Sequence, residues 1–137
     1  MFDHKKSPFI VTVAVYANPS ADVKQRQEAR CLLDTGCMQG NIISASLAHR
    51  LGFTTYEALK PREESGGTVA TGHIHQVLGA IHLTWYQVSS AKIFNNMRFL
   101  VSESDQFDLV IGTHSISRFR LFSPPNLGVG MKQPSGK

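Results

Sequence analysis

The chain has 137 residues, is 42% hydrophobic and carries a formal net charge of +4. That suffices for one domain with its own core and leaves little room for a second. No apolar run approaches the ~20 residues of a membrane-spanning helix, and two cysteines, Cys31 and Cys37, are too few for a disulfide framework. The fourteen bases (among them Lys5, Lys6, Lys24, Arg26, Arg30, Arg50, Arg62, Arg98, Arg118 and Arg120) are scattered. They form no stripe interleaved with aromatics, so neither a nucleic acid nor a membrane is expected as partner. Met1-Phe2-Asp3-His4-Lys5-Lys6 leads into no cleavable apolar segment. The chain is therefore read as soluble and intracellular (cytoplasmic), or as a piece of a longer polyprotein.

In chain order, Phe9, Val11, Val13 and Val15 alternate with Ile10, Thr12, Ala14 and Tyr16, the period of a strand, and Asn18-Pro19-Ser20 ends it in a turn. The polar residues 20–29 read as an exposed connection or long hairpin tip, and a second strand is expected from about Ala29 to Asp34. Its apolar pair Leu32-Leu33 indicates burial on both faces. Cys31 and Cys37, on either side of the following turn, are read as reduced packing residues. Asn41 to Ile43 reads as short and extended. Ser44 then caps a helix from Ala45 to Leu51, stopped by Gly52, with Leu47 and Leu51 on one face.

Residues 54–67 carry Pro61, Glu63-Glu64 and Gly66-Gly67 and read as irregular. Thr68-Val69-Ala70 and His73 to Leu78 flank Thr71-Gly72 as a hairpin would. Gly79 marks a bulge, and Ala80 to Trp85 continues as a strand with Trp85 half-buried. Lys92 to Val101 is a further strand, with Phe94, Met97, Phe99 and Val101 directed to the core. Phe107 to Gly112 is an apolar strand, His114 to Phe119 a short helix and Arg120-Leu121-Phe122 a last short strand. The Gly- and Pro-rich end reads as a flexible tail, which makes residues 1–125 the domain and 126–137 the tail. Many short strands with few helices indicate an all-β barrel or sandwich.

The chemistry centres on Cys31-Leu32-Leu33-Asp34-Thr35-Gly36-Cys37. An apolar run delivers one carboxylate into a tight turn. Asp-x-Gly is ordinary turn chemistry, but a carboxylate in an apolar setting is costly unless it is used or paired. His73, His75 and His82 lack a Cys or acidic ligand at matching spacing, so no metal is expected. Ser44 and Ser46 with His49 lack the nucleophile elbow of a serine hydrolase, and nothing near Cys31 or Cys37 would activate a thiol.

Four elements in order resemble the retropepsin family, the retroviral and retrotransposon-type aspartic proteases. They are the apolar strand into Asp34-Thr35-Gly36; Asn41-Ile42-Ile43-Ser44 before a short helix; Ala70-Thr71-Gly72 through Gly79-Ala80-Ile81-His82-Leu83; and Asp108-Leu109-Val110-Ile111-Gly112 with the helix beyond. The likeness spans roughly residues 8 to 122. It departs from the family pattern at Cys37, where Ala is usual, at Gly40, which reads as an inserted residue, and at Thr113-His114, where many members have Asp after the Gly.

The resemblance implies a pepsin-like all-β protomer, a closed β-barrel or sandwich with one or two short helices, acting as a homodimeric aspartic endopeptidase without a cofactor. Asp34 would meet its counterpart from a second copy, since Asp3, Asp22 and Asp105 are poorly placed and Asp108 would be structural. Thr35 would bond across the dimer and Gly36 would allow close backbone approach. Ala70, Thr71, Gly72 and His73 would be the flap over an extended peptide or polyprotein substrate, with polyprotein processing in a retroelement or a host relative as the setting. The alternative is a catalytically silent dimerisation or peptide-binding module on the same fold.

Overall fold

The computed structural model describes residues 9–21, 25–65 and 74–121. They form six strands, β1 (Ile10–Tyr16), β2 (Arg26–Leu33), β3 (Ile42–Ser44), β4 (Val77–Gln87), β5 (Ile93–Ser102) and β6 (Leu109–Ile111). Three short helices accompany them, α1 (Ala45–Arg50), α2 (Pro61–Ser65) and α3 (Thr113–Phe119). The strands close into a barrel in the order β1-β2-β6-β3-β5-β4, with β4 pairing back to β1. The all-β expectation is met in its barrel form, with three short helices among the described residues.

The period-two pattern of β1 places Val13 and Val15 in the main core, while Phe9 lies outside the strand and is exposed. β2 begins at Arg26, earlier than the sequence reading, because Arg26 to Glu28 pair antiparallel with Ala14 to Tyr16 and extend the hairpin through polar residues. Hydrogen-bonding partners, not hydrophobicity, start that strand. β2 lies between β1 and β6; Ala29, Cys31 and Leu33 face the main core, and Leu32 packs on a second cluster of Cys37, Ile42, Ala80, Leu100 and Val110.

Ser44 caps α1, its Oγ accepting from Leu47 N–H at 3.1 Å. Gly52 ends that helix at φ +88°, a conformation costly for a residue with a Cβ. The Asp108 carbonyl accepts from Ser44 N–H, and Asp108 Oδ2 accepts from Arg30 N–H at 2.9 Å, which gives that acid the structural role expected of it.

Three local readings are corrected. Within the stretch read as irregular, Pro61 opens α2, because a first helical residue needs no N–H partner, and Glu63 Oε1 accepts from Lys60 N–H at 2.7 Å to cap the turn. Arg120 and Leu121 do not continue into a strand. Arg120 takes the left-handed conformation at the end of α3 (φ 52°, ψ 49°), and Leu121 N–H donates to the Ile116 carbonyl. Trp85 is fully buried, stacked on Phe94 at 4.5 Å between centroids, with its indole N–H directed to Met97 Sδ at 3.3 Å. The uneven spacing of Phe94, Met97 and Phe99 has a cause in β5. Its register against β4 shifts between Leu83 and Trp85, and Asn96 sits there at φ 51°. The expected bulge at Gly79 is present as a second register shift. The read tail lies outside the described residues.

Candidate functional site

Asp34 is the first residue beyond β2. Its N–H donates to the Ile111 carbonyl at 2.9 Å, continuing the parallel pairing of β2 with β6 by one step. The turn then closes on itself. Cys37 N–H donates to the Asp34 carbonyl at 3.0 Å, and Gly36 N–H donates to Asp34 Oδ1 at 2.9 Å. Asp is suited to the first position of such a turn because its side chain accepts from the backbone two residues on. Asp34 is half-buried, not enclosed, and Thr35 is exposed at the tip. The sequence thus located the acid, while the tertiary structure presents it at a surface.

The turn rests on the junction of β6 and α3. Thr113 N–H donates to the Cys37 carbonyl at 2.8 Å. Gly112 is packed so tightly that a Cβ there would stand 2.4 Å from the Gly40 carbonyl oxygen and 2.7 Å from that of Cys37. Both obstacles are backbone, so neither can swing away. Gly112→Ala is expected to cost about 3 kcal/mol and about 10 °C in melting temperature. Thermal unfolding followed by circular dichroism checks this; an unchanged melting temperature would show that the junction yields.

Sequence reasoning missed two polar residues of this loop as partners. Asn41 Oδ1 accepts from Gly112 N–H at 3.0 Å, and its Nδ2 lies 3.0 Å from Ser115 Oγ and 3.5 Å from the Arg98 carbonyl. Gln39 bonds to the main chain of Glu63 and His75. The available signal was two amide side chains in an otherwise apolar and Gly-containing loop, Cys37 to Ile43. Amides are the side chains that can satisfy backbone donors and acceptors together.

Both cysteines are free and buried, as packing residues would be. Burial pushes the Cys31 and Cys37 thiols up, and for Cys37 the carboxylate of Asp34 adds to the effect. Neither thiol is a nucleophile in that state.

On the outer face, Arg98 of β5 grips Glu63 of α2 with two bonds, Nε to Oε2 at 2.7 Å and a terminal nitrogen to Oε1 at 2.9 Å. Its other terminal nitrogen lies 3.3 Å from Glu57 Oε1, and His82 Nδ1 lies 2.9 Å from Glu57 Oε2. Glu57 itself bridges to Ala80 through both backbone groups. The hydrogen bonds from Arg98 hold the Glu63 carboxyl below the ordinary glutamate range, against the opposing effect of its burial. A depressed folded value stabilises above the unfolded value, near pH 4.3, and that contribution is lost as pH falls through the folded value. Glu63→Gln is therefore expected to cost about 1 kcal/mol at neutral pH and progressively less below about pH 4. Melting temperatures across pH 3–7 check this; a pH-independent difference would contradict it.

Ala70, Thr71, Gly72 and His73, read as the flap, lie outside the described residues. His75 precedes β4 and is not part of a strand. Among the described residues no three His, Cys, Asp or Glu side chains come together to hold a metal, and no helix is long and apolar enough to cross a membrane. Several bases are used locally: Arg30 donates to the Gln106 carbonyl, Arg26 lies over the Tyr86 ring, and Lys92 and Arg118 lie over Phe119.

No family model matches the chain, and no curated protein matches it. Among solved structures it is similar to the crystal structure of the retroviral protease-like domain of Ddi1 from Leishmania major. Sequence identity is 20%, 81% of this chain and 78% of that chain are covered, and the TM-score is 0.49.

Proposed function

We propose that the chain is a retropepsin-type aspartic endopeptidase that acts as a homodimer, with Asp34 of each copy forming the catalytic dyad. The observation that carries this reading is the Asp34-Thr35-Gly36 turn. A carboxyl is presented half-exposed at a strand end, one of its oxygens is oriented by Gly36 N–H, and the turn is locked from behind by the β6–α3 junction. A surface carboxyl held that rigidly is suited to catalysis, where small misplacements are costly.

Peptide hydrolysis without a metal or covalent nucleophile needs an activated water and an acid for the leaving nitrogen. Two carboxyls about 3 Å apart supply both, because like charges that close do not both ionise and one proton is shared by the pair. A two-fold axis beside Thr35 brings two identical turns together without any further residue. The exposed Thr35 is free to bond across that axis. One carboxylate takes a proton from water as the oxygen attacks the peptide carbonyl. The other carboxyl protonates the carbonyl oxygen, and the leaving nitrogen then takes its proton from the dyad. The substrate on this reading is an extended peptide, and polyprotein processing is its setting.

The test is cleavage of a peptide library between pH 4 and 7, with sedimentation on the same samples. Cleavage that is strongest on the acid side, with specific activity rising with protein concentration as dimers form, is the expected result. An inert dimer across the whole range would instead favour the silent peptide-binding module.

A further inference from the structure

Gln39 is 6% exposed, and its carboxamide is committed to main chain on both sides. Nε2 donates to the Glu63 carbonyl at 2.6 Å and to the His75 carbonyl at 2.8 Å, while Oε1 accepts from His75 N–H at 2.8 Å. Toward His75 the side chain thus makes the two-point pairing that a neighbouring strand would make. Toward Glu63 it meets α2 from the inside, while Arg98 holds the carboxylate of the same residue from the outside. Gln39 belongs to the loop that begins at the Asp34 turn and ends at Asn41, which is itself bonded to Gly112. A continuous set of bonds therefore runs from the β6–α3 junction through this loop to α2 and to the chain entering β4.

We propose that Gln39 is a positioning residue for peptide binding. Its carboxamide ties the main chain at Glu63 and His75 to the loop that follows the Asp34 turn, so that an extended peptide meets these segments as one pre-organised surface. This rests on the protease reading and extends it. Gln39 touches neither the acid nor the peptide; it acts through the His75 and Glu63 backbone. Pre-organised binding surface of this kind lowers the ordering cost of the ligand's partner and is felt mainly in affinity.

Two variants and two readouts test this. Gln39→Leu keeps the bulk and removes all three bonds. The expected result is a KM raised about tenfold with kcat within about twofold, and amide exchange of His75 faster by at least about tenfold, read by NMR without any substrate. Gln39→Glu adds a pH signature. Protonated, it accepts from His75 N–H and donates one bond to a carbonyl. Ionised, it faces the Glu63 and His75 carbonyl oxygens. The ionisable groups on the elements it bonds are the Glu63 carboxylate of α2, itself held by Arg98 of β5, and His75 ahead of β4; Asp34 lies five residues earlier in its own loop. The carbonyl oxygens raise the folded value of the new acid, so its bonds are present at low pH and lost as pH rises through that value. KM of Gln39→Glu is expected near wild type at pH 4 and rising toward pH 7; a merely structural loss would not follow that profile. An unchanged KM or unchanged His75 exchange in Gln39→Leu, with the wild type cleaving, overturns the proposal alone. A wild type that neither cleaves nor binds any peptide overturns the protease reading and this proposal together, whereas the His75 exchange then still reports whether the bond itself exists.

Discussion

Asp34→Asn is expected to lower kcat/KM for peptide cleavage by about 10⁴-fold, toward the upper range for a positioned acid–base group. The substitution is nearly isosteric, and Asn Oδ1 can still accept the Gly36 N–H that Asp34 Oδ1 accepts at 2.9 Å. The turn bonds of Cys37 N–H to the residue 34 carbonyl and of the residue 34 N–H to Ile111 involve backbone alone and persist. Folding and dimer formation should therefore be unchanged, and the loss is assigned to proton transfer. A mixing experiment sharpens the result. Inactive copies added in excess to wild type should quench its activity, because a mixed pair carries one acid. Activity that survives the substitution within tenfold, or that ignores the added copies, would place catalysis elsewhere or in one chain.

Asn41→Ala is expected to be the most destabilising of the substitutions considered. Asn41 is 8% exposed, and its side chain satisfies Gly112 N–H while its Nδ2 reaches Ser115 Oγ and the Arg98 carbonyl. Truncation leaves the buried Gly112 N–H without its acceptor, at about 1–3 kcal/mol, and removes two part-buried bonds, to Ser115 and the Arg98 carbonyl, at about 1 kcal/mol each, so a total near 4 kcal/mol follows. For a chain of this size that is about 15 °C in melting temperature. Asn41→Asp keeps the acceptor for Gly112 and gives up the donors, and should recover about half of the loss. Chemical denaturation of the three proteins checks the order. The same variants should lose activity beyond their loss of stability, because Gly112 leads into Thr113, whose N–H holds Cys37 and so the acid turn. An Asn41→Ala protein as stable as wild type would mean that water replaces the amide.

The elements legible in the sequence were those whose signal is local. The alternation of Val11, Val13 and Val15, the Ser44 cap and the Gly52 stop each depend on residues within one or two turns of chain, and each appears as read. The early start of β2 was not legible because Arg26 to Glu28 are polar and become strand only through pairing with Ala14 to Tyr16. Strand alternation says which face Trp85 takes, and so predicts half-burial. It does not say that Phe94, Met97 and the rest of the barrel will cover it. The helix at Pro61 was hidden because proline breaks a helix interior and favours a helix start, and local composition does not separate the two.

At the site the division is the same. Asp34, Thr35 and Gly36 announce a turn with a carboxyl at its head, since the bonds that shape it connect residues two and three apart. The turn itself could be read directly from the chain, as could the packing role of both cysteines. Long-range contacts alone decided what holds that turn in place: Gly112 against Gly40 and Cys37, Asn41 across to Gly112 and Ser115, Gln39 across to Glu63 and His75, and Arg98 onto Glu63. These partners lie far apart along the chain, and no periodicity or turn rule connects them. The sequence by itself determined that a carboxyl heads this tight turn; barrel closure, by bringing β6 beside β2 and β5 beside β3, decided how firmly and at what exposure that group is held.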